Sequence, residues 1–286
     1  MKLQTRKKRI SRSRGGDIFI FSILVLGGLF TALPLLYALT SAFKPLNEFF
    51  IYPPQFFARN PTLANFQDLV VLMAKSWVPM SRYLFNSLVI VLLGTLGNLF
   101  FGSLAAYALS KHNFVGKEMI NKAIIFSLMF APAVTQIPNY LTIAYLGWIN
   151  TYWAVVVPAW ASTLGLYLMK KFMDSMVDES YLEAARISGA SEFDIYWRIV
   201  MPIVKPAWLT LIILTFQSLW QATGGNYIYA EQLKTLPYAL NQIVAGGVAR
   251  AGIGAAVSLI MMLVPIVVFV INQSKIVETM GTSGLD

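Results

Sequence analysis

The sequence predicts an all-α polytopic membrane protein. Three features of its composition predict that class: 57% of its 286 residues are hydrophobic, only 12% are charged, and the net charge is +9. Soluble globular domains are about 25% charged, and a chain this poor in charge cannot cover an apolar core with polar surface. The absence of cysteine excludes disulfides and thiolate sites, and a single histidine excludes a histidine-rich metal centre.

Stretches without Asp, Glu, Lys or Arg indicate where the chain crosses the membrane. A helix needs about 20 apolar residues to cross a bilayer core about 30 Å thick, and these runs lack the alternation of barrel strands. The stretch 123–169 is long enough for two spans, with a turn near 147–151 where Gly and Asn interrupt it. The six expected transmembrane helices cover about residues 18–40, 84–109, 123–143, 152–170, 207–228 and 252–273.

The distribution of basic residues orients these spans. The first fourteen residues carry seven basic side chains and no acid, and such segments stay on the cytoplasmic side of a membrane. With the N terminus inside, sixteen of the 22 basic residues fall in inner segments. The sequence therefore predicts a basic N-terminal segment at 1–17, a membrane domain at 18–274 and a tail at 275–286, with both termini cytoplasmic. The basic segment is expected to contact membrane lipid and no nucleic acid, because it directly precedes an apolar run.

Several kinds of chemistry are missing from the sequence. No Gly-x-x-x-x-Gly-Lys-[Ser/Thr] run is present, so the chain is not expected to hold ATP. The expected spans have no ionisable side chain at mid-depth, which argues against proton coupling, although coupling to Na⁺ through carbonyls and hydroxyls stays open. No nucleophile–base pair or metal cluster is recognisable, so the chain is expected not to be an enzyme and to have no metal site or cofactor of its own.

The inner segment 174–205 departs from the charge pattern because it carries six acidic residues. Ser180 and Glu183 have the spacing of a capping box, with Ser180 at the N-cap of a short helix. Gly189 lies where a left-handed residue would end that helix. The sequence therefore predicts a first helix between about 180 and 188, followed by a glycine turn.

A second short helix is predicted after the turn. Ser191 would cap it, and it would run from 192 to about 200. Pro202 would end it, and Pro206 suits the first turn of the following span. The whole segment is thus predicted to be a helix–turn–helix at the membrane surface, between the fourth and fifth spans.

The residues of this segment resemble a known motif, the EAA motif of ATP-binding cassette (ABC) importer permeases. That motif has a Glu-Ala-Ala triplet, a glycine after three more residues, and an Ile-x-Leu-Pro run further on. Met takes the place of Leu here, a mild change between two unbranched apolar side chains. The matching residues are Glu183, Ala184, Ala185, Gly189, Ala190, Ile199, Met201 and Pro202.

Other parts of the chain are similar to the maltose-type carbohydrate permeases of the same family. The first outer segment, the start of the second span and the tail carry this similarity. The residues concerned are Ser41-Ala42-Phe43-Lys44, Tyr52-Pro53-Pro54, Pro61 to Phe66, Asn86-Ser87 and Val277 to Gly284, with Gly281 and Gly284 spaced as in that subfamily.

The resemblance implies a sugar importer of a bacterial or archaeal cytoplasmic membrane. Its partners would be a second homologous permease, two cytoplasmic ATPase subunits that bind ATP and Mg, and an extracytoplasmic sugar-binding protein. This chain would supply half of the translocation path. Contact with the ATPase would come from Glu183, Ala184, Ala185, Gly189, Ala190 and Pro202, and from Gly281 and Gly284 in the tail.

Uncharged polar residues within the spans are the candidates for the substrate path. The third span has two amides, near which Pro132 and Pro138 are expected to break the helix, and the fifth has two amides and a tryptophan. These groups suit a neutral sugar, but amides in membranes also bond between helices. The candidates are Gln136, Asn139, Gln217, Trp220 and Gln221. A different hypothesis for the whole chain is an ion-coupled secondary transporter of a small polar solute.

Overall fold

The structure is a computed structural model that describes residues 14–282. The described chain is helical, and its longest connecting segments are 43–63 and 221–235. It divides into two compact units. One consists of the residues up to Leu69 together with Gly247–Leu259, and the other of Val70–Gly246 together with the residues from Ile260 onward.

The helices, named in chain order, are α1 Arg14–Ala42, α2 Ala64–Ala74, α3 Met80–Lys111, α4 Lys117–Ser127, α5 Pro132–Tyr145, α6 Trp153–Trp160, α7 Thr163–Met176, α8 Glu179–Ile187, α9 Glu192–Ile203, α10 Lys205–Trp220, α11 Leu236–Val244 and α12 Ala251–Thr282. Within the described range, three helical stretches are long and apolar enough to cross a membrane: Gly15–Ala42, Met80–Lys111 and Ala251–Asn272. The pair α9 and α10, bent by 82°, is a fourth candidate if it counts as one span.

The third and fourth expected spans are each made of two helices. The third breaks between α4 and α5, because Ala131 is extended ahead of Pro132, as residues before proline usually are. The break expected at Pro132 is therefore confirmed, whereas the one expected at Pro138 is wrong: Pro138 is accommodated within α5, and Gln136 lies inside the same helix. The fourth breaks at Ser162, whose hydroxyl accepts a hydrogen bond from Gly165 N and caps α7.

The fifth and sixth helices also differ from the expected bounds. Helix α10 ends at Trp220, eight residues before the predicted end at 228, and the chain then turns through Gly224 at φ +62°. Helix α12 continues to Thr282, through most of the expected tail at 275–286. The predicted turn at 147–151 is confirmed, with Gly147 and Asn150 both at positive φ.

Two buried polar side chains order the segment after α1 in the first unit. The Asn65 amide donates to two carbonyls at and just beyond the end of α1, at 2.9 and 2.8 Å. The Glu48 carboxylate accepts from the backbone N–H groups of Arg59 and Asn60 at 2.9 and 2.8 Å. These bonds give the proline-rich segment between α1 and α2 a defined fold.

Helix α3 lies at the centre of the second unit, where it packs against α6, α7 and α10. Its Asn98 is completely buried. The Asn98 amide donates to Ala159 O at 2.7 Å, and Thr215 donates to Asn98 Oδ1 at 3.2 Å. Because the break after α6 removes the helical partners of nearby carbonyls, this amide satisfies one of them and links three helices.

The start of α3 is fixed to the segment before α11. Asn86 donates to the carbonyls of Gln232 and Lys234 at 2.9 and 2.7 Å, and Tyr152 donates to Asn86 Oδ1 at 2.7 Å. Ser87 Oγ accepts from the backbone N–H that begins α11, at 2.8 Å. The Asn-Ser pair recognised in the sequence is therefore a structural junction.

Candidate functional site

The first site is the 178–203 hairpin, formed by α8, a turn and α9. Helix α8 begins after Asp178, whose carboxylate accepts from Ser180 N at 2.9 Å. This backbone hydrogen bond holds the pKa of Asp178 below its usual range. The predicted capping box is therefore wrong: Asp178 is the N-cap, and Ser180 and Glu183 lie inside the helix. An acid at this end also suits the positive pole of the helix dipole.

Gly189 ends α8 in the way that the sequence predicts. Its φ is +80°, a conformation that glycine adopts without a steric penalty. Gly189 N bonds to Arg186 O at 3.0 Å, and Ala190 N bonds to Ala185 O at 3.1 Å. This pair of bonds is a Schellman motif, which fixes the direction in which the chain leaves α8.

Ser191 caps the second helix of the hairpin, as predicted, by accepting from Asp194 N at 3.2 Å. The helix does not stop at Pro202 but continues to Ile203, with π-helical geometry over Ile195–Val200. The predicted stop is wrong because such local π adjustments accommodate a proline within a helix. The chain bends only after Ile203, where α10 begins with Pro206 in its first turn.

The hairpin is packed firmly against the helical core. Leu182, Ile195 and Tyr196 are almost fully buried, in one cluster with Met169 and Met173 of α7. The Tyr196 hydroxyl lies 2.6 Å from Ser103 Oγ of α3. A displacement of the hairpin would therefore carry α3 and α7 with it, because close-packed interiors transmit strain.

Glu192 forms a second polar contact between the hairpin and α3. Its carboxylate accepts from Arg186 Nε at 2.8 Å and from the Tyr107 hydroxyl at 2.7 Å. The hydrogen bond from Arg186, followed by the one from Tyr107, holds the pKa of Glu192 below its usual range. His112 Nε2 lies 3.4 Å from the same carboxylate, so this lone histidine has a polar neighbour as well as partial exposure to solvent.

Five of the six acids of the 174–205 segment have partners within the chain. Glu183 is the exception: it is exposed, and among residues 14–282 it has no hydrogen bond or ion pair. The other five pair as Asp174 with Lys170, Asp178 with Ser180 N, Glu179 with Arg186, Glu192 with Arg186 and Tyr107, and Asp194 with Arg198.

The same hairpin also exposes large apolar side chains. Tyr181 and Ile187 of α8 are 57% and 88% exposed, and Phe193 and Trp197 of α9 are 59% and 55% exposed. Ala184 is exposed beside them, which leaves the backbone of α8 open to close approach. Exposed apolar groups next to a well-packed core indicate an interaction surface.

The second site is an aromatic groove of about 450 Å³ in the second unit. It is lined by the middle of α5 and by the segment after α10: Gln136, Ile137, Tyr140, Gly225, Asn226, Tyr227 and Tyr229. The rings of Tyr140 and Tyr227 are stacked, with centroids 6.1 Å apart and an interplanar angle of 20°. The hydroxyls of Tyr140 and Tyr229 are 3.3 Å apart.

Asn150 holds one wall of the aromatic groove in place. It adopts a left-handed conformation, with φ +62°, and its backbone N–H donates to Tyr227 O at 2.7 Å. Its side-chain oxygen accepts from the backbone N–H groups of Tyr229 and Ala230 at 3.1 and 2.8 Å. The turn after α5 therefore orders the segment after α10.

Only one of the predicted substrate-path residues, Gln136, lines the groove. Asn139 is exposed on α5, and Gln217 is half-buried within α10. Trp220 is buried, stacks on Phe216 and donates to a carbonyl of α12 at 3.2 Å, so it is a packing residue here. Gln221 lies beyond the last helical residue of α10.

The three tyrosines of the groove are not recognisable from the sequence because they lie in segments far apart in the sequence.

The predicted tail contact falls at the end of the chain. Gly281 is in the last turn of α12, and Gly284 lies outside the described residues.

Comparisons with known proteins identify relatives over most of this chain. Residues 97–278 match the family model described as binding-protein-dependent transport system inner membrane component. Protein LplC of Bacillus subtilis is 32% identical over 79% of this chain and 75% of its own length. The inner membrane ABC transporter permease protein YcjP of Escherichia coli is 25% identical over 99% of both chains.

A crystal structure of a bacterial ABC transporter involved in the import of the acidic polysaccharide alginate has a similar fold. One of its chains superposes with a TM-score of 0.75 at 22% identity, over 92% of this chain and 98% of that chain. The chain therefore belongs to the family of binding-protein-dependent transport system inner membrane components, and is a non-catalytic permease subunit of an ABC transporter.

Proposed function

We propose that this chain is one of two permease subunits in an ATP-driven importer of sugars or oligosaccharides. Its relatives include a polygalacturonan/rhamnogalacturonan permease protein and an arabinooligosaccharide permease protein, both of Bacillus subtilis. Each is 25% identical to this chain. The amides and tyrosines exposed along α5 and after α10 supply hydrogen bonds and ring faces suited to a neutral polyhydroxyl substrate. Family membership favours this function over the ion-coupled alternative.

The proposed topology has six spans with both termini in the cytoplasm. The helix pairs α4–α5 and α6–α7 would each cross once, and α1, α3, α10 and α12 would supply the other four crossings. The charge distribution supports it, because sixteen of 22 basic residues then lie inside. The segment 1–17, the membrane domain 18–274 and the tail from 275 keep their proposed roles, with Gly281 and Gly284 contacting the ATPase.

The 178–203 hairpin is the proposed contact with the ATPase. The observation that carries this proposal is that α8 is buried on one side and exposed on the other. Leu182 is fully buried, whereas Ile187 is 88% exposed and Glu183 has no partner in the described chain. A basic group of the ATPase would pair with Glu183, and apolar groups would cover Ile187. ATP and Mg would be held entirely by that partner.

Motion of the ATPase pair would be transmitted to the membrane-spanning helices through two contacts. Tyr196 with Ser103, and Glu192 with Tyr107, connect the hairpin to α3. Because an interaction can drive a conformational change only by favouring one state over another, nucleotide-dependent closure of the ATPase would select one arrangement of α3. The hairpin would transmit the closure of the ATPase to α3. Its shape depends on Ala184, Ala185, Gly189, Ala190 and Pro202.

Co-purification tests this proposal. The chain carrying an affinity tag, expressed in its native cells, should retain an ATPase subunit, a second permease and, with substrate, a binding protein. Glu183→Ala combined with Ile187→Ser should release the ATPase while the permeases stay paired. Glu118→Ala, an exposed acid at the start of α4, is the matched control. Retention of the ATPase by the double variant at wild-type stoichiometry would remove the hairpin from this role.

A further inference from the structure

The aromatic groove is lined by two side-chain amides without a hydrogen-bond partner in the described chain, and such groups need a polar neighbour inside a membrane. Gln136 and Asn226 line it, and within residues 14–282 neither side-chain amide has a hydrogen-bond partner. Leaving amides unpaired costs free energy wherever water is absent. The groove therefore faces either water or a ligand that supplies hydrogen bonds.

The aromatic groove has the chemistry of a carbohydrate site. We propose that it binds a neutral sugar unit of the transported oligosaccharide; this inference rests on the function proposed above. The faces of aromatic rings are electron-rich and attract the C–H groups on the flat side of a sugar ring, and Tyr140, Tyr227 and Tyr229 supply such faces. The amides of Gln136 and Asn226 donate to and accept from sugar hydroxyls.

The absence of charge sets the class of sugar. None of the seven residues that line the groove is Asp, Glu, Lys or Arg. A uronic acid or a phosphorylated sugar would lose hydration of its charge with no cationic partner in return, so the groove disfavours both. Its volume of about 450 Å³ lies within the range of about 300–1,000 Å³ that small-molecule sites occupy.

The groove is preorganised, which is what a binding site requires. Asn150 fixes the segment that carries Tyr227 and Tyr229 through three hydrogen bonds of 2.7 to 3.1 Å. The stacking of Tyr140 on Tyr227 joins that segment to α5. A ligand therefore meets rings that are already placed, and less binding free energy is lost to ordering side chains. In the proposed topology, α5 leads outward, so the groove lies at the entrance of the path.

Saturation-transfer NMR on the full chain in lipid nanodiscs tests this proposal. The probes are arabinotriose, galactotriose and maltotriose, with trigalacturonate as the charged comparison. At least one neutral probe should receive saturation on its ring C–H protons, and trigalacturonate should receive at least fivefold less. Saturation of no neutral probe, or a stronger signal from trigalacturonate, would overturn the proposal.

Variants locate the binding. Tyr227→Ala should lower the signal at least fivefold, whereas Tyr145→Ala, which removes a 91% exposed ring at the end of α5, should leave it unchanged. Gln136→Leu alters only an exposed side chain and should lower the signal at least threefold even if Tyr227→Ala disturbs the fold. Equal signals from Gln136→Leu and Tyr145→Ala would overturn the site. An intact ATPase co-purification with no groove-dependent signal would remove only the sugar site and leave the proposed permease role standing.

Discussion

The 178–203 hairpin and the aromatic groove are assembled in different ways. The hairpin is one continuous stretch whose geometry depends on neighbours a few residues apart, such as the bond from Ala190 N to Ala185 O. The groove joins residues almost ninety positions apart, as Tyr140 and Tyr229 are. The comparison teaches that local turn chemistry can be recognised in a sequence, whereas a surface made by tertiary contact cannot.

The largest effect is expected from a substitution that breaks the local geometry of the hairpin. Gly189→Val places a β-branched residue at φ +80°, and this strain costs about 3 kcal/mol. A Cβ there meets no atom within 4 Å, so the cost comes from the backbone alone. Substrate-stimulated ATP hydrolysis by the purified transporter should fall at least tenfold.

Gly189→Asn is the matched control for that change, because asparagine tolerates the left-handed conformation. It should keep more than half of the stimulated hydrolysis. Equal losses in Gly189→Asn and Gly189→Val would show that the conformation of the turn is not the property that matters.

A smaller effect is expected from loosening the contact between the hairpin and α3. Tyr107→Phe removes the hydroxyl that donates to Glu192 at 2.7 Å. The contact should weaken by about 1.5 kcal/mol, the low end for bonds to charged groups, because Glu192 is 49% exposed. ATP hydrolysis should continue while substrate transported per ATP falls severalfold.

A double-mutant cycle with Glu192→Gln makes this prediction specific. The two changes should be less than additive, since Glu192→Gln removes the charge that strengthens the hydrogen bond that Tyr107→Phe deletes. Tyr145→Phe, at an exposed tyrosine at the end of α5, should leave the transport ratio unchanged. Strict additivity of Tyr107→Phe and Glu192→Gln would contradict the proposed transmission through this bond.

A smaller effect again distinguishes the observed cap of α8 from the predicted one. Asp178→Ala removes the side chain that accepts from Ser180 N, and an uncapped N–H frays the first turn. Hydrogen exchange across 179–187 should accelerate in Asp178→Ala and change little in Ser180→Ala. Faster exchange in Ser180→Ala than in Asp178→Ala would instead support the capping box predicted from the sequence.

The smallest effect is a pH dependence of the hairpin. The pKa of Glu192 lies below its ordinary value in the folded chain, chiefly because Arg186 donates to it. A lowered pKa adds stability above the unfolded value, and that stability is lost as the pH falls through the folded pKa. Protection of 179–203 from hydrogen exchange, corrected for intrinsic rates, should be constant from pH 8 to 5 and decline below the ordinary pKa of a glutamate, about 4.3. Glu192→Gln should remove part of that decline; an identical decline would assign it to other acids.

The sequence predicts the structure correctly at positions that only a few residue types can occupy. Gly189 ends α8 and Ser191 caps α9, because few residues suit those positions. It failed where several residues competed, since Asp178 and Ser180 are both good caps. It also failed at Pro202, which is accommodated within α9 by π-helical geometry, and that depends on tertiary packing.

The groove shows the same limit for function. Polar residues within spans were recognisable from the sequence, and Gln136 does line the groove. Trp220 instead packs on Phe216, because the sequence does not show which side of α10 is covered. Asn98, whose amide links three helices, shows that a buried amide can also be purely structural.

Site-specific cross-linking tests the central claim, that the 178–203 hairpin meets the ATPase, most directly. The chain contains no cysteine, so Ile187→Cys creates a single site for a photoactivatable thiol reagent on the exposed face of α8. Illumination of the assembled transporter should join this chain to the ATPase subunit, and added nucleotide should change the yield. Tyr145→Cys, at the end of α5, should give no such product. Cross-linking of Ile187→Cys to lipid or to the second permease alone, with none to the ATPase, would contradict the account.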